Sequence, residues 1–220
     1  MNYFGKDHNL EWFKENGALT WPKQVEEAYW RYEVNARIPL YFDWLIKYGD
    51  KIEQITKSRG VEIDWGQFSP LPEYFPAAPD LVEAKEYDLY AITYRDILHT
   101  GTFTQENPAI DEASRMNPYT YNIILNEDIA RERGIRDGDM ISVESDKRRT
   151  VTGTVKTMQG IHPRVIGFAG TQGHWTKRLP VARNKGVHFN DLLEMDKDHI
   201  DPVSLSLEST VKVRVYKTEK

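Results

Sequence analysis

The chain has 220 residues, a formal net charge of −5, 40% hydrophobic and 12% aromatic residues, and no cysteine. That length suits one large domain or a domain with a packed extension, and the aromatic content is far above that of a disordered chain. No run of 18 apolar residues predicts a membrane span, and the polar N-terminus has neither the basic nor the apolar region of a secretory signal. The missing cysteine excludes disulfides, thiolate zinc sites, Cys-ligated iron–sulfur clusters and a Cys nucleophile within this chain.

The first 65 residues hold five of the six Trp. LEWFKEN (10–16), KQVEEAYWRY (23–32, behind Pro22) and IPLYFDWLIKYGDKI (38–52, with Pro39 at its start and Gly49 near its end) read as short amphipathic helices. So many aromatics on short elements predict an extension, residues 1–68, that clasps a domain or partner. SPLPEYFPAAPD (69–80) holds four prolines and reads as a semi-rigid linker into a domain spanning 81–220.

Beyond it the pattern becomes strand-like: YDLYAITY (87–94), YNIIL (121–125), MISVES (140–145), TVTGTVKT (150–157), RVIGFAG (164–170) and VKVRVY (211–216). One helix stands among them, with Asn126 as its cap, Glu127 and Asp128 in its first turn and Gly134 at its end. Asp137-Gly138-Asp139 then turns the chain tightly. Six strands with few helices predict a small closed barrel.

The even charge hides an asymmetry. Lys147 to Asn190 carries nine Lys or Arg and no Asp or Glu, which predicts either an anion-facing stretch or a basic face compensated by acids elsewhere. Three stretches concentrate donors and glycine: Tyr94 to Pro108, with Arg95, His99, Thr100, Gly101, Thr102 and Asn107; Gly170 to Trp175, with Gln172, Gly173 and His174; and Gly186 to Asn190, with His188. Each alone is also what an ordinary turn looks like. Dinucleotide, phosphate-loop, nucleophile-elbow and His-Glu-x-x-His signatures are absent, the histidines lack ligand spacing, and the acids at 194, 196, 198 and 201 read as solvated surface.

Taken together, Asn117-Pro-Tyr-x-Tyr-Asn-Ile-Ile-Leu-Asn126-Glu-Asp-Ile-Ala-x-x-x-Gly134-Ile-x-Asp-Gly-Asp139, the later Gly173-His174-Trp175 and Gly186-x-His-x-Asn190-x-Leu resemble the C-terminal domain of the dimethyl sulfoxide reductase family of molybdenum and tungsten enzymes. Arg37-Ile-Pro-Leu-Tyr-Phe-Asp-x-Leu and Pro70-Leu-Pro-Glu-Tyr74 resemble the segment leading into it. The resemblance implies a mainly β fold, a six-stranded double-psi β-barrel with short helices behind a helical, aromatic-rich N-terminal extension. It implies that Tyr94, Arg95, His99, Thr100, Gly101, Thr102, Asn107, Gln172, Gly173, His174, Trp175, His188 and Asn190 contact molybdopterin guanine dinucleotide carrying Mo or W. Many family members have Asn at the position of His188.

The family's cluster cysteines and the ligand-bearing central domains have no counterpart here, so the resemblance implies no catalytic residue, metal ligand or iron–sulfur cluster in this chain. The resemblance implies either a separately encoded subunit, whose partner is a larger catalytic chain carrying the remaining domains, or a piece of one longer catalytic chain, in both cases with an iron–sulfur electron-transfer subunit as a further candidate partner. The reaction class would be two-electron redox, although the family also contains non-redox members. The expected compartment is the cytoplasm, with export as part of a complex compatible with it. The alternative reading is a non-enzymatic double-psi barrel module that binds protein or nucleic acid through residues 147–190.

Overall fold

The computed structural model describes residues 7–19 and 41–218. The chain divides into two compact units, Met1–Tyr41 and Phe42–Lys220, so the division falls ahead of the proline-rich 69–80 segment. In the first unit, helix α1 (Leu10–Asn16) forms where LEWFKEN predicted it: Asn9 Oδ1 accepts the Trp12 N–H at 3.0 Å. The helix predicted over 23–32, with Pro22, lies outside the described residues, as do Arg37 and Pro39.

In the second unit, helix α2 spans Asp43–Ser58, which corrects the expected 38–52. Gly49 sits inside it rather than near its end. A lone glycine costs a helix only about 1 kcal/mol relative to alanine, too little to stop sixteen residues. The chain instead leaves the helix at Arg59 and Gly60, the latter at φ +71°. Among the described residues no helix is long and apolar enough to cross a membrane.

The rest of the unit is a closed six-stranded barrel: β1 (Leu89–Tyr94), β2 (Ile123–Asn126), β3 (Met140–Ser145), β4 (Thr150–Met158), β5 (Val165–Ala169) and β6 (Val211–Lys217), in the order β1-β5-β2-β4-β3-β6. β1 with β5, and β2 with β4, pair in parallel; the other four pairings are antiparallel. This is the double-psi arrangement expected from the sequence. Alternate residues point inward, so Leu89 and Ala91, Ile123 and Leu125, Ile141 and Val143, Ile166 and Phe168, and Val213 and Val215 fill the barrel. Burying each large side chain of this set contributes about 1.5–3 kcal/mol.

Two helices decorate the barrel. α3 (Pro108–Arg115) was not expected; Asn107 Oδ1 caps it, accepting the Ala109 and Ile110 N–H groups, and Pro108 stands in its first turn. α4 (Glu127–Glu132) is the expected one, capped by Asn126 and followed by Gly134 at φ +66°.

Candidate functional site

Parallel pairing explains how distant loops meet. Tyr94 at the end of β1 lies opposite Ala169 at the end of β5, and the Gly170 N–H donates to the Tyr94 carbonyl at 2.7 Å. Both strands therefore release their loops side by side at one end of the barrel. The third stretch is anchored from below: Val187 enters the space left by Gly153 on β4, and Phe189 packs on Phe168 with ring centroids 5.4 Å apart.

The three stretches surround a cavity of about 460 Å³. Of the residues singled out in the sequence, Tyr94, Arg95, Thr102, Gln172, His174, His188 and Asn190 line it. Gly173 supplies the turn between two of them. Its φ is +80°, and a Cβ there would stand 2.1 Å from the His188 nitrogen, so only glycine lets the two turns touch. Trp175, 69% exposed, stands edge-on to the His188 ring with centroids 5.4 Å apart. His188 Nδ1 is paired with Asp191 at 2.9 Å. Burial, with Asp96 and Tyr119 nearby, pushes the Tyr94 phenol up to about 12, so it stays protonated and donates to the Tyr119 carbonyl at 2.7 Å.

Six buried side-chain polar atoms lack a hydrogen-bond partner among the described residues, and four belong to Gln105, Gln172 and His174. Gln172 is 2% exposed, and neither its Oε1 nor its Nε2 has a partner. Each such atom costs about 1–3 kcal/mol unless something satisfies it. Thr171, just before, sits at φ +70°, a conformation that costs a β-branched residue on the order of 1–3 kcal/mol. Strain and unsatisfied groups thus coincide at the cavity wall, where a polar heterocyclic ligand would relieve the second. A larger adjoining cavity of about 590 Å³ shares Tyr94 and Arg95 but is lined mainly by Ile92, Ile97, Leu98, Ile124, Met158 and Ile161. Asp96 in its wall is occupied by Leu98 N–H, Asn117 and Thr120, which makes it a poor cradle for a polar ligand.

Six expected contacts do not line the cavity: Gly173 and Trp175 stand beside it, and His99, Thr100, Gly101 and Asn107 serve their own loop. His99 is fully buried: Nδ1 faces Thr104 Oγ1 at 3.2 Å and Nε2 faces Ser114 Oγ at 2.9 Å, and burial lowers its pKa. Asn107 caps α3. The Thr100 and Gly101 carbonyls accept hydrogen bonds from Arg95 Nη1 and Thr104 Oγ1, folding the loop onto itself. The lining also holds Thr93, Gly170, Thr171 and Phe189, which were not expected as contacts although the last three stand inside the singled-out stretches.

The acid-free window divides. Lys147, Arg148, Arg149, Lys156 and Lys185 pair with Asp146, Glu144, Glu194, Asp137 and Asp111 respectively. Compensation by acids from elsewhere therefore accounts for over half of it, and Glu194 is a salt-bridge partner rather than mere solvated surface. Arg164, Lys177, Arg178 and Arg183 have no carboxylate partner among the described residues; Arg164 lies over the Tyr90 ring.

Residues 89–210 match the molydopterin dinucleotide binding domain, and the chain belongs to that family. It is 26% identical over 182 residues to a selenate reductase subunit from Mesobacillus selenatarsenatis, covering 70% of this chain and 17% of that one. Its fold is similar to that of acetylene hydratase from Pelobacter acetylenicus, with a TM-score of 0.56 and 16% identity over 74% of this chain and 22% of that one. The chain thus spans about a fifth of the length of these relatives. It is a dinucleotide-binding domain of the kind found in molybdenum oxidoreductases, and its cofactor is molybdopterin guanine dinucleotide.

Proposed function

We propose that the chain serves as the cofactor-binding portion of a molybdopterin-dependent oxidoreductase, closing over bis(molybdopterin guanine dinucleotide) together with a larger catalytic partner. The carrying observation is the buried, unpartnered Gln172 amide and His174 Nε2 beside a polar cavity built from three separate loops. The donor set fits the group: Gln172, His174 and Asn190 offer amide and imidazole atoms to a heterocycle edge, and Arg95 offers a guanidinium to a pyrophosphate. When bound, the cofactor's metal supplies two-electron redox chemistry; this chain's residues bind, orient and shield the ligand. Lys177, Arg178 and Arg183, without a carboxylate partner among the described residues, add a positive field for the phosphates.

The relatives' extra length motivates the partner, and an iron–sulfur electron-transfer subunit completes the proposed assembly. The non-enzymatic, nucleic-acid-binding alternative is less supported, because most of the basic window is already neutralised within the fold. Purification of the chain with its co-expressed gene neighbours tests the reading. Molybdenum or tungsten with guanine nucleotide in the complex is expected, and a complex lacking both would overturn it.

A further inference from the structure

Residues 105–111 reach the 171–185 segment at four points. Gln105 Nε2 donates to Thr171 Oγ1 at 2.6 Å. Glu106 Oε1 and Oε2 accept the Val181 and Ala182 N–H groups at 2.9 and 3.1 Å, and Asp111 Oδ1 accepts Lys185 Nζ at 2.5 Å. The 171–185 segment has no helix or strand of its own; its local order is the isolated bridge between His174 and Arg183, the backbone bonds from Gly173 N–H to Lys185 and Asn184 N–H to His174, and the turn bonds from Leu179 N–H to Thr176, Arg183 N–H to Leu179 and Lys185 N–H to Ala182. Backbone donors in such a segment need tertiary acceptors, and a carboxylate taking two N–H groups is a charge-assisted bracket that holds both in one geometry.

None of Gln105, Glu106 or Asp111 lines the cavity. Their bonds set the placement of Thr171, whose left-handed backbone carries Gln172 into the wall, and of the 181–185 strip that pairs with His174. We propose that Glu106 is a positioning residue for the cleft, and that with Gln105 and Asp111 it holds the 171–185 segment in its ligand-ready geometry before any ligand arrives. The proposal rests on the reading of the cleft as the dinucleotide site. It assigns the first loop a second task beyond the contacts of Arg95 and Thr102.

The test uses the full chain as wild type, Glu106→Ala, Glu106→Gln and, as a control, Asp137→Ala, which removes contacts to Lys156 and Thr157 instead. Amide hydrogen exchange without ligand comes first. In Glu106→Ala, amides at Gly173 and at 181–185 should exchange about tenfold faster or more while those of β3 and β4 keep wild-type rates, and Glu106→Gln, retaining one acceptor oxygen, should fall between. Titration with guanosine diphosphate comes second: affinity should fall about tenfold in Glu106→Ala and stay at the wild-type value in Asp137→Ala. Unchanged exchange at Gly173 and 181–185, or an equal loss of affinity in the control, overturns the positioning role. A wild-type chain that ignores the nucleotide argues against the cleft reading alone, because the exchange comparison still decides the bracket.

Discussion

Val187 occupies the volume that a side chain on Gly153 would need: a Cβ at residue 153 would lie 2.5 Å from Val187 Cγ2 and 3.0 Å from Ile123 Cδ1. The loop bearing His188 and Asn190 is therefore keyed into the barrel wall by one missing methyl group. Gly153→Ala should destabilise the chain by about 1–3 kcal/mol through overpacking. Adding Val187→Ala should recover part of that loss, because the second change reopens the space. A double-mutant cycle on urea unfolding checks this, and strictly additive losses would mean that the two residues do not share the volume.

Within an assembled enzyme, His174→Ala and Asn190→Ala should each lower cofactor retention more than fold stability. Neither side chain has a side-chain hydrogen bond among the described residues, so truncation removes little from the fold itself. Losing one ligand hydrogen bond costs about 0.5–1.5 kcal/mol, or about 1.5–3 kcal/mol when the partner is charged. Arg95→Ala should behave likewise, with a stronger dependence on salt. Metal content and thermal midpoint measured on the same preparations decide, and full occupancy in all three variants would remove the site assignment.

Acid should destabilise the chain through three buried groups. Burial pushes the Glu144 carboxyl up, but hydrogen bonds from Arg214, Arg148 and Tyr216 outweigh it and hold the group below its ordinary 4.5. Asp111 is likewise held below its ordinary 3.8 by Lys185 and Tyr121 despite its burial. Both bind protons more readily unfolded than folded, so their contribution is full above about pH 4.5 and is lost as pH falls further. His99, with its pKa lowered by burial below 6.5, has the same sign and begins to cost stability at higher pH. Urea midpoints between pH 3 and 7 should fall with pH, and Glu144→Gln should be less stable at pH 7 yet show a shallower acid slope.

The isolated chain should self-associate. Helix α2 buries Leu45 but exposes Trp44, Ile46, Tyr48, Ile52 and Ile55, and residues 48, 52 and 55 recur at helical spacing. Tyr48→Lys with Ile55→Glu should reduce light scattering while leaving the melting temperature within about a degree or two, since neither side chain is buried. A wild-type chain that scatters as a stable monomer would argue against a covered face.

The strands were legible as short runs rich in β-branched and aromatic residues between turn signals rather than by alternation alone, since β2 is buried at all four positions, and their limits shifted by at most two residues at either end. The three donor-rich stretches meet around one cavity, because parallel pairing of β1 with β5 and the seating of Val187 against Gly153 bring them to one end of the barrel. What escaped was the difference between touching a cavity and shaping its walls. His99 and Asn107 carry the same chemistry as His174 and Asn190, yet His99 is spent on Thr104 and Ser114, which only folded contacts show, and Asn107 on the cap of α3. Asn107-Pro108 is itself a readable helix start, a cap residue followed by proline. The bracket from Glu106 to Val181 and Ala182 joins positions too distant in sequence for any local pattern to reveal.

The parallel pairing of β1 with β5 also fixes when the cleft can come into being. Tyr94 meets Ala169 only after β2, β3 and β4 have been laid down between them, and the last wall waits for residue 190. Contacts of such long sequence separation carry a high loop-closure cost and form late in folding. A ribosome-bound chain lacking β5 has no groove to offer, so cofactor insertion belongs after barrel closure, to a folded acceptor rather than to a nascent one.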